Sequence, residues 1–530
     1  VNSAQDLNDE IRWVKFSGAS WAPDGSGFYY SRYAEPAEGD ELKDTNLNQK
    51  LYFHTLGQPQ AEDRLVYERP DHPKWGFGAG VTDDERYLLL SVWEGAGSKN
   101  QLFYRDLKVG DESQVVELFS GFDARYDFIG NDGTTWYVLT DREAPRGRLI
   151  AVDLQQPEPE HWRTILPEAS GTLQSVSYLD GIFVASYLVD AHDEVRFFKK
   201  DGQPDGKLPL PDLASAGGFG GRQEDHLTFY SLTGYTHPGA IYRLDLRTRE
   251  STLFWEPQVP IDLSNCITTQ EFFTSADGTR VPMFVTRRKD APQDGSVPTI
   301  LYGYGGFNIS LTPYFSPVTA VWLERGGAYA VANLRGGGEY GETWHEAGMR
   351  HQKQHVFDDF IAAAEYLIEK KFTSREKIVI KGGSNGGLLV AAVVNQRPEL
   401  FAAAAPSVGV MDMLRFQKFT IGWAWQDEYG HPDEAADFKV LRSYSPYHNV
   451  KAVAHPPMLI QTADHDDRVF PAHSFKYGAA MQHAQQGDAP ILMRIETKAG
   501  HGAGTPTDKI LEAAADEFAF FLNATRASSH

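Results

Sequence analysis

One cysteine in 530 residues, Cys266, excludes an intramolecular disulfide and any site built from several thiolates, such as a zinc knot or an iron–sulfur cluster. Positive charge is also scarce. Fifty Lys and Arg stand against 72 Asp and Glu, and the net charge of −22 speaks against nucleic acid or an anionic membrane surface as partner. No apolar run approaches the roughly 18 to 20 residues that span a bilayer. The opening residues, VNSAQDLNDEIRW, are polar, follow no basic-then-apolar leader pattern and lack an initiating Met. What is present is globular: 41% hydrophobic and 12% aromatic residues supply ample core, and the length fits two large domains or several small ones.

The first half repeats. Polar turns followed by a short apolar strand recur as APDGSGFYYS, TDDERYLLLS, NDGTTWYVLT, YLDGIFVASY and EDHLTFYS, near Asp24, Asp84, Asp132, Asp180 and Asp225. The steps are 60, 48, 48 and 45 residues. A second strand follows each one: KLYFHTLG, QLFYRDLKVG, RLIAVDLQQP, EVRFFKKDGQP and AIYRLDLRTRE. Gly and Asp permit the reversals, and aromatic and β-branched runs suit half-buried pleated surfaces. At this period the pattern predicts β-propeller blades of about four strands each, five of them visible. A β-sandwich or a plain run of hairpins is the competing reading.

The pattern changes near residue 256, where FWEPQVPIDLSN carries two prolines and no period. This divides the chain into a propeller over 1–256 and a second domain over 257–530. A hairpin, TTQEFFTSADGTRVPMFVTRR, opens the second part. Buried strands then alternate with helices: PTILYGYGG, AYAVANLRGGG, KIVIKGG, AAAAPSVG, PPMLIQTAD and ILMRIETKAG. One helix aligns Val356, Phe357, Phe360, Ile361, Ala364, Leu367 and Ile368 on a face; the last, after Pro506, does so with Ile510, Leu511, Ala514, Phe518, Phe521 and Leu522. Apolar strands interleaved with helices predict an α/β domain with a mostly parallel sheet covered on both faces.

The chemistry is concentrated in KIVIKGGSNGGLLVAAVVNQ. It is a GxSxG between a buried strand and an apolar helix, the context of an α/β-hydrolase nucleophile elbow, and makes Ser384 the candidate nucleophile. A serine hydroxyl needs a base and an orienting acid, which on such a sheet follow at later strand ends in the order Ser, Asp or Glu, His. The strand PPMLIQTAD runs into Asp464, Asp466 and Asp467, and ILMRIETKAG runs to His501 between Gly500 and Gly502. His501 is the candidate base. The residues alone leave the acid open among the three aspartates. The backbone N–H of Asn385, next to the nucleophile, is one candidate oxyanion donor, and the loop Tyr302–Phe307 follows the right strand to supply another. No metal and no cofactor is expected, since the aspartates have no complementary ligand set and His351 and His355 read as a solvated helix face.

Taken in order, YGYGGFNIS, NLRGGGEYG, GGSNGGLL, VGVMDMLRF, AWQDEYG, SPYHNV, ADHDDRV and AGHG resemble the prolyl oligopeptidase family of serine peptidases over the second half, and the repeats resemble that family's propeller. The resemblance implies Ser384, Asp466 and His501 as a catalytic triad, with the Tyr304 hydroxyl beside the Asn385 amide on the oxyanion. It further implies that Trp425 stacks on a substrate proline ring, that Phe307, Val410, Tyr429 and Val469 line the rest of the pocket, and that Arg468 binds a carbonyl just upstream. The implied activity is cleavage of short peptides on the carboxyl side of proline, with the propeller restricting access. An indole face and aliphatic walls suit a rigid proline ring, whereas Lys or Arg specificity would need a carboxylate there.

The family has a hydrolase-associated N-terminal segment and seven blades. Five are visible, so the resemblance leads us to expect that segment and about two blades outside this sequence, leaving a signal peptide unassessable. A monomer is expected, in the cytoplasm or periplasm. Two other functions fit the same elements: an oligopeptidase specific for basic residues, and a propeller interaction module carrying an inactive hydrolase. A dipeptidyl peptidase would need a propeller glutamate pair, and the repeats carry no convincing one.

Overall fold

A computed structural model gives the fold and describes residues 6–39, 45–110 and 113–526. Five four-stranded antiparallel sheets follow one another along the first half, from Ser20–Trp21 to Ser251–Trp255. The strands legible in the sequence are the two middle strands of each blade, such as Gly27–Arg32 with Lys50–Thr55 and Tyr87–Glu94 with Gln101–Asp106. The flanking strands are less visible for physical reasons. Several first strands are glycine-rich, as in WGFGAGV and SAGGFG, and the fourth strands are short and largely solvated.

Successive blades are joined through apolar clusters between their facing sheets. Leu51 and Tyr29 meet Phe77 and Leu90 between the first two; Tyr87 and Leu102 meet Trp136 between the second and third. Similar clusters join the third to the fourth and the fourth to the fifth. Among the described residues no such cluster joins the fifth blade to the first. Exposed apolar side chains include Leu253, Phe254 and Trp255 on the last strand of the fifth blade and Trp21 and Leu65 on the first and last strands of the first.

The last blade strand ends at Trp255, and at Cys266 the eight-stranded sheet of the second half begins. A hairpin, Cys266–Thr274 and Arg280–Arg288, pairs antiparallel with Ala328–Ala332. Beyond it Thr299–Tyr302, Ile378–Gly383, Ala403–Ser407, Met458–Ala463 and Ile491–Glu496 are parallel. The central strands are buried along nearly their whole length because helices cover both faces. On one side lies Gln354–Glu369, which buries Val356, Phe357, Phe360, Ala364 and Leu367 as its spacing predicts. The final helix, Thr507–Arg526, departs from its pattern. Phe521 is buried, but Ile510 and Leu511 are exposed because nothing among the described residues covers the start of that helix. No helix among the described residues is long and apolar enough to cross a membrane.

The halves are joined by specific contacts. Ala191 and Tyr235 of the propeller enter the core formed by Phe284, Ile300 and Tyr329. The Ala96 N–H donates to the Ala424 carbonyl at 2.8 Å, the Tyr340 hydroxyl donates to Asp190 at 2.7 Å, and Lys15 pairs with Asp467 at 2.6 Å.

Candidate active site

Ser384 sits between the strand Ile378–Gly383 and the helix Asn385–Gln396, at φ +58° and ψ −119°. A side-chain-bearing residue pays for such a conformation, and the strain lifts the hydroxyl out of the sheet. The elbow closes only because a neighbour lacks a side chain: a Cβ on Gly386 would lie 2.7 Å from the Gly303 carbonyl oxygen. As the first helical residue, Asn385 has an N–H without an intrahelical acceptor. Its side chain is fully engaged, with Nδ2 donating to the Tyr304 carbonyl at 2.6 Å and Oδ1 accepting from the Tyr429 hydroxyl at 2.9 Å.

Two strands further along, the three aspartates separate. Asp464 pairs with His465 at 2.5 Å, Asp467 with Lys15, and Asp466 receives His501 Nδ1 at 2.7 Å. Asp466 is wholly buried, and its other oxygen accepts the N–H groups of Arg468 and Val469 at 3.0 and 2.8 Å. His501 is half-buried on a loop whose next three residues are exposed, beside a cavity of about 500 Å³ lined also by Tyr302, Ser407 and Gly500. No hydrogen bond among the described residues joins Ser384 to His501. The Ser384 hydroxyl interacts with the Tyr304 phenol, which burial and then the Glu428 charge push up to about 12. Tyr304 therefore stays a donor throughout the neutral range.

Trp425, Val410, Tyr429 and Val469 all belong to the large apolar core of the second half, with Phe307 packed against it. Trp425 is 8% exposed and Tyr429 only 1%, so Tyr429 supports this wall from behind. Phe416, which sequence reasoning did not single out, completes it: its ring stacks on Trp425 at 6.3 Å and meets Tyr429 edge-on at 5.4 Å. Its only sequence signal is its place at the end of VGVMDMLRF. Phe307 meets the other side of Tyr429 edge-on at 5.5 Å. Arg468 is exposed and lies over the Phe16 ring. Of the two carboxylates between Trp425 and Tyr429 in sequence, Glu428 is buried and held by Lys353 and His345, and Asp427 lies 3.6 Å from Arg350. His351 and His355 go separate ways, to Asp437 and to the Ala347 carbonyl.

Residues 1–257 match the family model described as the N-terminal β-propeller domain of prolyl oligopeptidase, and residues 313–528 match the model described as the prolyl oligopeptidase family. A prolyl endopeptidase of Elizabethkingia meningoseptica is 44% identical over 98% of this chain and 74% of its own length. Among solved structures, prolyl oligopeptidase B of Galerina marginata bound to a 35mer hydrolysis and macrocyclization substrate is 37% identical and superposes with a TM-score of 0.92, over 98% of this chain and 73% of that one. The apo structure of the same enzyme, at the same coverage, gives 0.70. The halves of this chain thus sit as in the substrate-bound relative.

Proposed function

From the premise that this chain belongs to the prolyl oligopeptidase family and is a serine-type prolyl endopeptidase, we propose that Ser384, His501 and Asp466 hydrolyse short peptides on the carboxyl side of proline. The observation that carries the reading is the Asp466–His501 pair, set at strand ends beyond a strained Ser384 in the order such a sheet requires. Ser384 Oγ attacks the carbonyl carbon of the proline residue and its proton passes to His501 Nε2. The resulting oxyanion is met by the Asn385 N–H and the Tyr304 hydroxyl. As the C–N bond breaks, His501 returns the proton to the leaving amine, and water enters by the same route in reverse to release the acyl group from Ser384. Asp466 holds the tautomer with Nδ1–H and stabilises the imidazolium.

Trp425, backed by Phe416 and Tyr429 and flanked by Phe307, Val410 and Val469, offers a proline ring an aromatic face without charge. Arg468 then serves the carbonyl upstream. The wall weighs against the basic-residue alternative, since the Glu428 carboxylate is already paired with Lys353 and His345 and Asp427 lies beside Arg350. In the same reading the propeller, hydrogen-bonded to the hydrolase half, limits access to oligopeptides, and the chain acts as a monomer in the cytoplasm or periplasm.

The test is hydrolysis of matched peptides with Pro, Arg or Ala before the scissile bond, by the wild type and Ser384→Ala. Preference for Pro and loss of turnover in the variant are expected. Equal rates for Pro and Arg would overturn the pocket assignment, and undiminished turnover in Ser384→Ala would overturn the mechanism.

A further inference from the structure

Beneath the oxyanion loop lies a chain of four ionisable side chains that the mechanism does not use. Lys353, buried at the N-terminal edge of the helix Gln354–Glu369, donates from Nζ to the Gly305 carbonyl at 2.9 Å and to Glu428 Oε1 at 3.1 Å. The other Glu428 oxygen faces His345 Nε2 at 2.8 Å, and His345 Nδ1 faces Glu342 at 3.4 Å. Glu342 in turn accepts from the propeller hydroxyl of Ser98 at 3.0 Å.

The charge state follows from the geometry. Both His345 ring nitrogens point at carboxylates, which only accept, so both must carry protons. Burial disfavours the imidazolium, yet Glu342 and Glu428 raise its pKa to about 9. Burial also works against the Glu428 carboxylate, but Lys353 and His345 hold it below the usual range. Burial works against the Lys353 ammonium too and lowers its pKa, which the facing Glu428 carboxylate opposes; with Lys353 and His345 protonated and both carboxylates ionised, the chain is neutral as a whole.

Such a buried network is a poor way to gain stability, because well-packed apolar residues commonly do as well. Its placement is more informative. The loop Tyr304–Gly305–Gly306 passes between this network and the Asn385 side chain with no room to spare: a Cβ on Gly306 would lie 2.6 Å from Asn385 Nδ2 and 2.9 Å from Glu428 Oε1. Two successive loop carbonyls are gripped from opposite sides, that of Tyr304 by Asn385 and that of Gly305 by Lys353. Tyr304, whose phenol lies beside Ser384, immediately precedes these two anchors.

We propose that Lys353 is a positioning residue for acyl transfer: set by Glu428 and His345, its ammonium fixes the Gly305 carbonyl and thereby the Tyr304 hydroxyl on the developing oxyanion. The inference rests on the reading of Tyr304 as an oxyanion donor and Ser384 as nucleophile. It adds a task for a lysine that touches neither substrate nor nucleophile, and it makes one of the two carbonyl contacts of the oxyanion loop a charged one.

Lys353→Met alone leaves a buried carboxylate unpaired and is liable to misfold. The decisive variant is therefore the double substitution Lys353→Met, Glu428→Gln, which removes one charge of each sign and keeps the remaining His345–Glu342 pair neutral. Wild type and double variant are titrated with a fluorophosphonate, and the adduct is located by mass spectrometry. Turnover of a Pro-containing peptide is then expressed per labelled site. We expect KM within about threefold of wild type and kcat per site lower by about ten- to a hundredfold, the scale of displacing rather than deleting an oxyanion donor. Affinity for a peptide aldehyde ending in a proline aldehyde, whose hemiacetal oxyanion needs the same donors, should fall by a matching factor.

A folded double variant with wild-type kcat per labelled site would overturn the inference. So would a rise in KM with kcat preserved, which would mean that the network shapes the pocket for the ground state. Absence of label on Ser384 in the wild type is a separate outcome, which overturns the nucleophile assignment and with it this inference. Label on Ser384 with unchanged kcat in the double variant removes only the role of Lys353.

Discussion

Asp466 and His501 are joined at 2.7 Å by a carboxylate whose second oxygen is already occupied by the N–H groups of Arg468 and Val469. The arrangement leaves the acid no rotational freedom and presents a single lone pair to the imidazole. Asp466→Asn keeps the volume, but its amide can offer an N–H where His501 needs an acceptor, so the ring is driven to the tautomer with Nε2 protonated. Turnover should fall by on the order of 10³- to 10⁴-fold with little change in thermal midpoint. Steady-state kinetics beside a melting curve checks this, and a loss below tenfold would remove Asp466 from the mechanism.

In the proposed mechanism Tyr304 and the Asn385 N–H divide the oxyanion between a side chain and a backbone group. The phenol is raised to about 12 by burial and by Glu428, so it donates throughout the working range. Tyr304→Phe removes that donor and keeps the ring. A kcat lower by about 10²- to 10³-fold with KM nearly unchanged is expected. A change confined to KM would place the hydroxyl on the ground-state substrate instead.

The Trp425 ring stacks on Phe416, which itself meets Tyr429 edge-on, so the indole is braced before any substrate arrives. Trp425→Ala should reduce kcat/KM for a Pro peptide about tenfold more than for the matched Ala peptide, the scale of one aromatic stacking contact. Equal loss on both peptides would make Trp425 a core residue without a part in proline preference. Phe416→Ala should weaken the same preference indirectly, by releasing the indole from its brace.

Much of this site can be read from the chain because its signals are local. The elbow needs glycines at fixed offsets from Ser384, and the repeats announce themselves through the two hydrophobic middle strands of every blade. The choice among Asp464, Asp466 and Asp467 is different in kind. Each sits in the same loop, and only the resemblance distinguishes them in the sequence; in space they part to His465, His501 and Lys15. Lys353, Glu428 and His345 leave no trace at all. They lie 75 to 83 positions apart in their pairings, each on a different short element, and a buried lysine in QKQHVF has the same letters as a solvated one. The exposed Ile510 and Leu511 show the converse, since helical spacing identifies an apolar face but not what packs on it.

Glu339, in the loop that follows the strand Ala328–Ala332, supplies a pH signature of folding independent of catalysis. Its side chain is buried; Oε1 accepts from the Leu311 N–H and from Asn333, while Oε2 has no partner among the described residues. Burial raises its pKa from 4.5 to about 7. Below 4.5 the carboxyl is protonated in both folded and unfolded chains, and its contribution to stability is complete. Between 4.5 and 7 the unfolded chain releases the proton and the folded one keeps it, so stability is lost as pH rises, in total on the order of 3 kcal/mol. Above 7 both forms are ionised and the loss is constant. Glu339→Gln cannot titrate, so its thermal midpoint should gain on the wild type steadily from pH 5 to about 7.5 and then run parallel to it. The backbone carbonyl of Glu339 accepts from the propeller hydroxyl of Thr172 at 3.2 Å, which ties this loop to the interface between the halves. Midpoints that keep a constant separation from pH 5 to 8 would show that Glu339 is already ionised in the folded chain at pH 5, and that its unpartnered oxygen is reached by water.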